Sequence, residues 1–106
     1  MSDGDAPLVQ LSFEADVIHW RGPSPYFFAP LPAEAAAELQ RISRAVTYGW
    51  GMVPVEARIG EVAFKTSLFP KHDGYLLPLK DVVRRQANLT AGDRVAVEMT
   101  VHFTRR

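Results

Sequence analysis

A mainly β fold, a small barrel of about six strands carrying two short helices, is predicted by three features of this 106-residue chain. Apolar and polar residues alternate with a period of two from Val9 to Val17, from Val53 to Ile59 and from Val95 to Phe103. Glycine-containing turn signals stand at Gly60-Glu61, Asp73-Gly74 and Gly92-Asp93. Helical spacing is confined to one alanine-rich stretch and one short segment near Pro78. Short strands with a helix over one opening suit a double-split or swapped-hairpin-like barrel, and a flat sheet with helices on one face is the alternative.

The elements follow in order. Val9, Leu11, Phe13, Ala15 and Val17 line one side of the first strand, with Gln10, Ser12, Glu14 and Asp16 on the other. Two prolines and a glycine in Arg21–Pro25 make a loop, and Tyr26–Ala29 returns as a short strand forming a hairpin with the first. Pro32 opens a helix whose apolar stripe is Ala35, Leu39, Ile42 and Val46. Glu34 and Glu38 sit toward its positive end, Arg41 and Arg44 toward its negative end. Gly49 and Gly51, flanking Trp50, stop that helix. Val53–Ile59 and Val62–Leu68 form a hairpin about Gly60-Glu61. The run PKHDG then turns the chain into a strand at Tyr75–Leu77. Pro78 suits a first helical turn, with Leu79, Val82, Val83 and Ala87 as the apolar face and Asn88 as the C-cap. The Gly92-Asp93 turn leads into the last strand.

Composition bounds the function. With 47% hydrophobic residues the chain can bury a core, and residues 8–104 are expected to form one domain behind a tail at 1–7. The absence of cysteine excludes disulfides and thiolate metal sites and fits a reducing, cytoplasmic setting. No apolar run is long enough to span a bilayer, and the acidic start is not signal-like, so no membrane association is expected. Net charge is zero but uneven: residues 1–60 hold 4 basic and 7 acidic side chains (net −3), residues 61–106 hold 8 and 5 (net +3). A dedicated nucleic-acid binder draws its affinity from a clear positive excess, so the zero total argues against that role.

The segments FEADV with the following Trp20, FAPLP, WGMVPVEARIG, TSLFP, GYLLPLKDVVRR and LTAGDRVAVEM occur in that order between about Leu11 and Phe103. In these segments the chain resembles a small bacterial family, the domain of unknown function numbered nineteen-oh-five. The resemblance implies a compact swapped-hairpin-like barrel, often followed in related proteins by a helical domain associated with bacteriocin protection. The 106 residues themselves are filled by the barrel and have no counterpart of that domain. No activity comes with the family.

The residues supply no catalytic motif. His19, His72 and His102 lack ligand spacing, so neither a metal nor a cofactor is expected. Thr66 and Ser67 lack a nucleophile elbow, and no glycine-rich phosphate cradle occurs. Glu14, Asp16, Glu56 and Glu98 fall on the polar sides of strands and make no case for an acid–base pair. One constellation invites binding: Trp50, Lys65, Thr66, Tyr75, Lys80 and Arg84, with Arg85 beside them, could rim a cationic concavity walled by aromatic rings. The competing account makes the helix charges a solvated face, with Arg84 paired to Asp93. The leading expectation is a non-enzymatic barrel module that binds a small anionic or aromatic ligand, or a protein partner. The alternatives are a nucleic-acid-binding barrel, a small hydrolase-like enzyme using Thr66 or Ser67, and a homodimer seated on Trp20 and exposed strand edges.

Overall fold

Strands that are apolar on one side have to bring those sides together, and the computed structural model, which describes residues 7–22, 26–42, 51–71 and 73–102, does so by curling one antiparallel sheet. Its strands are β1 (Pro7–Asp16), β2 (Ile18–Trp20), β3 (Tyr26–Pro30), β4 (Val53–Ile59), β5 (Val62–Lys71), β6 (Gly74–Leu79) and β7 (Arg94–His102). Helix α1 spans Ala33–Arg41 and helix α2 spans Asp81–Ala87. The strand order is β1-β7-β4-β5-β6-β3-β2.

That order explains the curvature. Only Val17 separates β1 from β2 in the chain, yet the two strands lie at opposite ends of the sheet. Neighbouring residues can occupy both ends only if the sheet bends until its ends meet at Val17. A second crossing lies in β5, where Val62–Leu68 pairs with β4 and Phe69–Lys71 pairs with β6. Two bent strands therefore pass from one half-sheet to the other, the device by which a sheet turns a corner. The mainly β, barrel-like prediction holds, with seven strands among the described residues where about six were expected. The partner of β3 differs from the expectation: it pairs with β2, through Ile18↔Phe28 and Trp20↔Tyr26, and not with the strand that ends before Val17.

Val17 is buried, and the Gly92-Asp93 turn satisfies its backbone from outside the ladder. Val17 N–H donates to the Asp93 carbonyl at 2.8 Å, and Gly92 N–H donates to the Val17 carbonyl at 2.8 Å. The turn is closed by Asp93 N–H to the Thr90 carbonyl at 3.1 Å, while the Asp93 carboxylate accepts Thr90 N–H at 2.9 Å. Gly92, at φ +95°, takes the third turn position, where a type II turn needs positive φ.

The core is the inward parity of these strands. Val53, Val55, Ala57 and Ile59 of β4 and Val95, Val97, Met99 and Val101 of β7 are buried as their alternation predicts. Phe13 and Ala15 close it from β1, and Leu77 and Leu79 from β6. Ala35, Ala36 and Leu39 of α1 complete the same cluster. A fully buried leucine such as Leu77 stabilises the fold by about 1.5–3 kcal/mol relative to exposure. The Gly60 hairpin has the predicted positive φ of +61° between Ile59 and Val62.

Two boundaries fall elsewhere than predicted. Pro78 belongs to β6, opposite Phe28, and α2 begins only at Asp81 after Lys80. A proline is tolerated there because pairing of β6 with β5 ends at Leu76, leaving Pro78 one neighbouring strand. Strand β5 runs to Lys71, so Asp73 lies in the turn and Gly74 already pairs in β6. Asn88 caps α2 as expected, in the left-handed conformation at φ 59°. Of the tail expected at 1–7, Pro7 already belongs to β1, while residues 1–6 and the positions Val46, Gly49, Trp50, His72 and Phe103 lie outside the described residues.

Candidate functional site

On the half-sheet β2-β3-β6-β5 the alternation fails, because both faces are apolar. Ala29, Leu77 and Leu79 point into the core, so Phe28, Leu76 and Pro78 must point out. Phe28 is nonetheless buried without joining the core cluster. It is covered by its neighbours on the outer face. Its ring meets Tyr26 edge-on at 5.3 Å and Phe69 edge-on at 5.9 Å, both favoured aromatic arrangements.

These rings floor an outer groove of about 710 Å³. Ile18 and Trp20 of β2 wall one side, Phe69 and Leu76 the other, and Lys71 is the charged residue of the lining. Ile18, Trp20 and Phe69 are 40%, 58% and 44% exposed, three of the four large apolar side chains left in solvent among the described residues. The Trp20 indole lies over Gly22: a Cβ there would collide with Nε1, so glycine lets the ring lie against the backbone. Tyr26 completes the groove near α2, and its hydroxyl stays neutral above the ordinary tyrosine range, first through burial and then through the Asp81 carboxylate.

The predicted binding residues occupy other places. Lys65 faces Glu56 across β4 and β5 on the outer side. Thr66 is opposite Val55 and so shares the core parity, whereas His102 lies with Glu56 on the other face, Nε2 to carboxylate 3.8 Å. Lys65, Thr66, Glu56 and His102 meet at a shallow hollow of about 170 Å³. Tyr75 is buried in β6, where its carbonyl accepts Leu31 N–H at 3.0 Å and burial raises the pKa of its hydroxyl. Lys80 is exposed at the N-cap of α2. Arg84 lies with its guanidinium carbon 3.7 Å from the Phe27 ring centroid, and its Nη2 donates to Asp81 at 2.9 Å. The pairing of Arg84 with Asp93 is thus corrected: Asp81 sits one helical turn away on the same face, while Asp93 is engaged by Thr90. His19 stacks on the same Phe27 ring, with centroids 4.5 Å apart.

One arginine links the two unevenly charged halves of the chain. Arg94 of β7 donates to Glu14 at 3.2 Å and Asp16 at 3.1 Å in β1, joining the basic half to the acidic one. These hydrogen bonds, Asp16 first and then Glu14, hold the guanidinium above its ordinary pKa. Arg58 lies 3.9 Å from Glu98 on the same outer face. Among the described residues no three His, Cys, Asp or Glu side chains gather as metal ligands, and no helix is long and apolar enough to cross a membrane.

A family model described as a domain of unknown function (DUF1905) matches residues 13–99, the greater part of the chain. The chain belongs to the DUF1905 family. No curated protein matches it. The matched span of this DUF1905 domain contains the whole groove lining from Ile18 to Leu76.

Sequence reasoning missed this groove. A signal for it exists: YFF in β3, LF in β5 and YLLPL in β6 are consecutive apolar runs where a half-buried strand should alternate. Such runs mean that both faces of a strand leave water.

Proposed function

We propose that this DUF1905 domain is a non-enzymatic binding module that takes a small apolar molecule in the groove between Trp20 and Phe69. The concentration of three solvent-exposed large apolar side chains along one concavity carries the reading. Scattered exposed hydrophobics are ordinary on a soluble surface, but a contiguous aromatic patch marks a binding face. A volume of about 710 Å³ lies in the range of small-molecule sites. The site predicted around Lys65, Thr66, Tyr75, Lys80 and Arg84 has less support, because Arg84 is engaged by Phe27 and Asp81 and Tyr75 is buried in the wall.

Titration with the neutral fluorophore N-phenyl-1-naphthylamine tests the proposal. Saturable binding to the wild type is expected, weakened about tenfold in Trp20→Ala and in Phe69→Ala, as for loss of an aromatic anchor. Trp20 is 58% exposed, so Trp20→Ala should melt close to wild type, whereas Phe69→Ala also uncovers Phe28 and should melt somewhat lower while still unfolding cooperatively. Absence of saturable binding, or equal affinity in all three proteins, would refute it.

A further inference from the structure

We infer that the groove selects an elongated amphiphile: an apolar chain whose single anionic head meets Lys71 and whose tail ends beneath Trp20. The inference rests on the groove being the binding site and adds its ligand class.

Sheet register sets the length. Lys71 pairs with Gly74 at the β5–β6 hairpin end. Trp20 pairs with Tyr26, next to Phe27, which pairs with Leu79 at the far end of β6. The groove lining thus runs the length of β6, and five residues of strand rise cover about 17 Å. A single ring system reaches one end of that lining, whereas a medium-length chain touches both. Between the ends, Phe28, Phe69 and Leu76 offer only apolar surface, so a polar group in mid-chain would lose its water without a partner.

Charge sets the polarity. Lys71 is exposed, and no acidic group lies within ion-pair distance of it among the described residues. The opposite end holds the Tyr26 hydroxyl, whose pKa is raised first by burial and then by the Asp81 carboxylate, and Asp81 is itself bound to Arg84. An anion is therefore matched at the hairpin end, where Lys71 is the charged residue of the groove lining. The head group lies at Lys71.

The test compares octanoate with octanol, both monomeric at millimolar concentration, by following the Trp20 indole N–H resonance, assigned by its loss in Trp20→Phe. Both ligands should shift it, octanoate binding about fivefold more tightly, the strength of one exposed ion pair. In Lys71→Met, octanoate affinity should fall to that of octanol while octanol affinity is unchanged. Equal affinities in the wild type, or an octanoate preference that survives Lys71→Met, would overturn the head-group assignment while leaving the groove as the site. No shift with either ligand would overturn the groove reading as well. Lys71 is a surface residue, so a melting curve suffices to show that the variant is folded.

Discussion

Replacing Gly92 by alanine tests whether the corner at Val17 is set by one turn. Gly92 has a φ of +95°, and a Cβ built there has no atom within 4 Å, so the penalty is conformational and not steric crowding. Holding an L-residue at such a φ costs about 1–2 kcal/mol. The backbone could escape by rotating its peptides, but Gly92 N–H and the Asp93 carbonyl both bond to Val17 at 2.8 Å. Losing one of these bonds costs about 1 kcal/mol, more where the partner is buried. Neither route is cheaper than the other, and about 1–2 kcal/mol is expected whichever is taken. At about 4–8 °C per kcal/mol for a domain of this size, the melting temperature should drop by roughly 4–16 °C. Gly92→Asn should recover part of the loss, because asparagine tolerates positive φ better. Differential scanning calorimetry reads both. If Gly92→Ala melts within about 2 °C of wild type, well below that range, the turn does not dictate the corner and the argument fails.

Gly22→Ala should behave differently. Its backbone is unstrained, so stability should stay within about 0.5 kcal/mol, but the added methyl displaces the Trp20 indole, and the Trp20 N–H resonance should move without any ligand. Alkaline titration probes the tyrosines. The Tyr26 and Tyr75 hydroxyls have folded pKa values raised above 10.0, so their stabilisation is complete below that pH and is lost as pH rises through the folded values. Tyr75→Phe should flatten this alkaline loss of melting temperature in proportion to its share, and an unchanged slope would show that its burial does not matter.

Much of the architecture was legible in local pattern. β4 and β7 alternate cleanly because one face meets the core and the other meets water, and every inward position predicted within their described residues is buried. The break at Val17 was not legible, since alternation runs unbroken from Val9 to that residue. Its cause, the Gly92-Asp93 turn, lies some seventy residues further along the chain. Pro78 misled for a similar reason: a proline three residues before a helix also fits a strand that has lost one neighbour, and only the sheet order decides between them. The groove was not legible in the charges. Lys65, Lys80 and Arg84 were visible as types, but Asp81 and the Phe27 ring claim Arg84, while the groove is built from apolar residues that read as core.

The groove's position on the outward parity of its strands separates two demands that many binding proteins must reconcile. A cavity hollowed from an interior forfeits cohesion, so changes of specificity there threaten the whole molecule. Here the contact surface can be re-dressed at Ile18, Trp20, Phe69 or Lys71 while the inward layer of Ala29, Leu77 and Leu79 stays intact. Phe28 alone belongs to both concerns, sealed beneath the rings it helps to present. Variation at these outer positions can therefore reshape the groove without renegotiating how the chain folds.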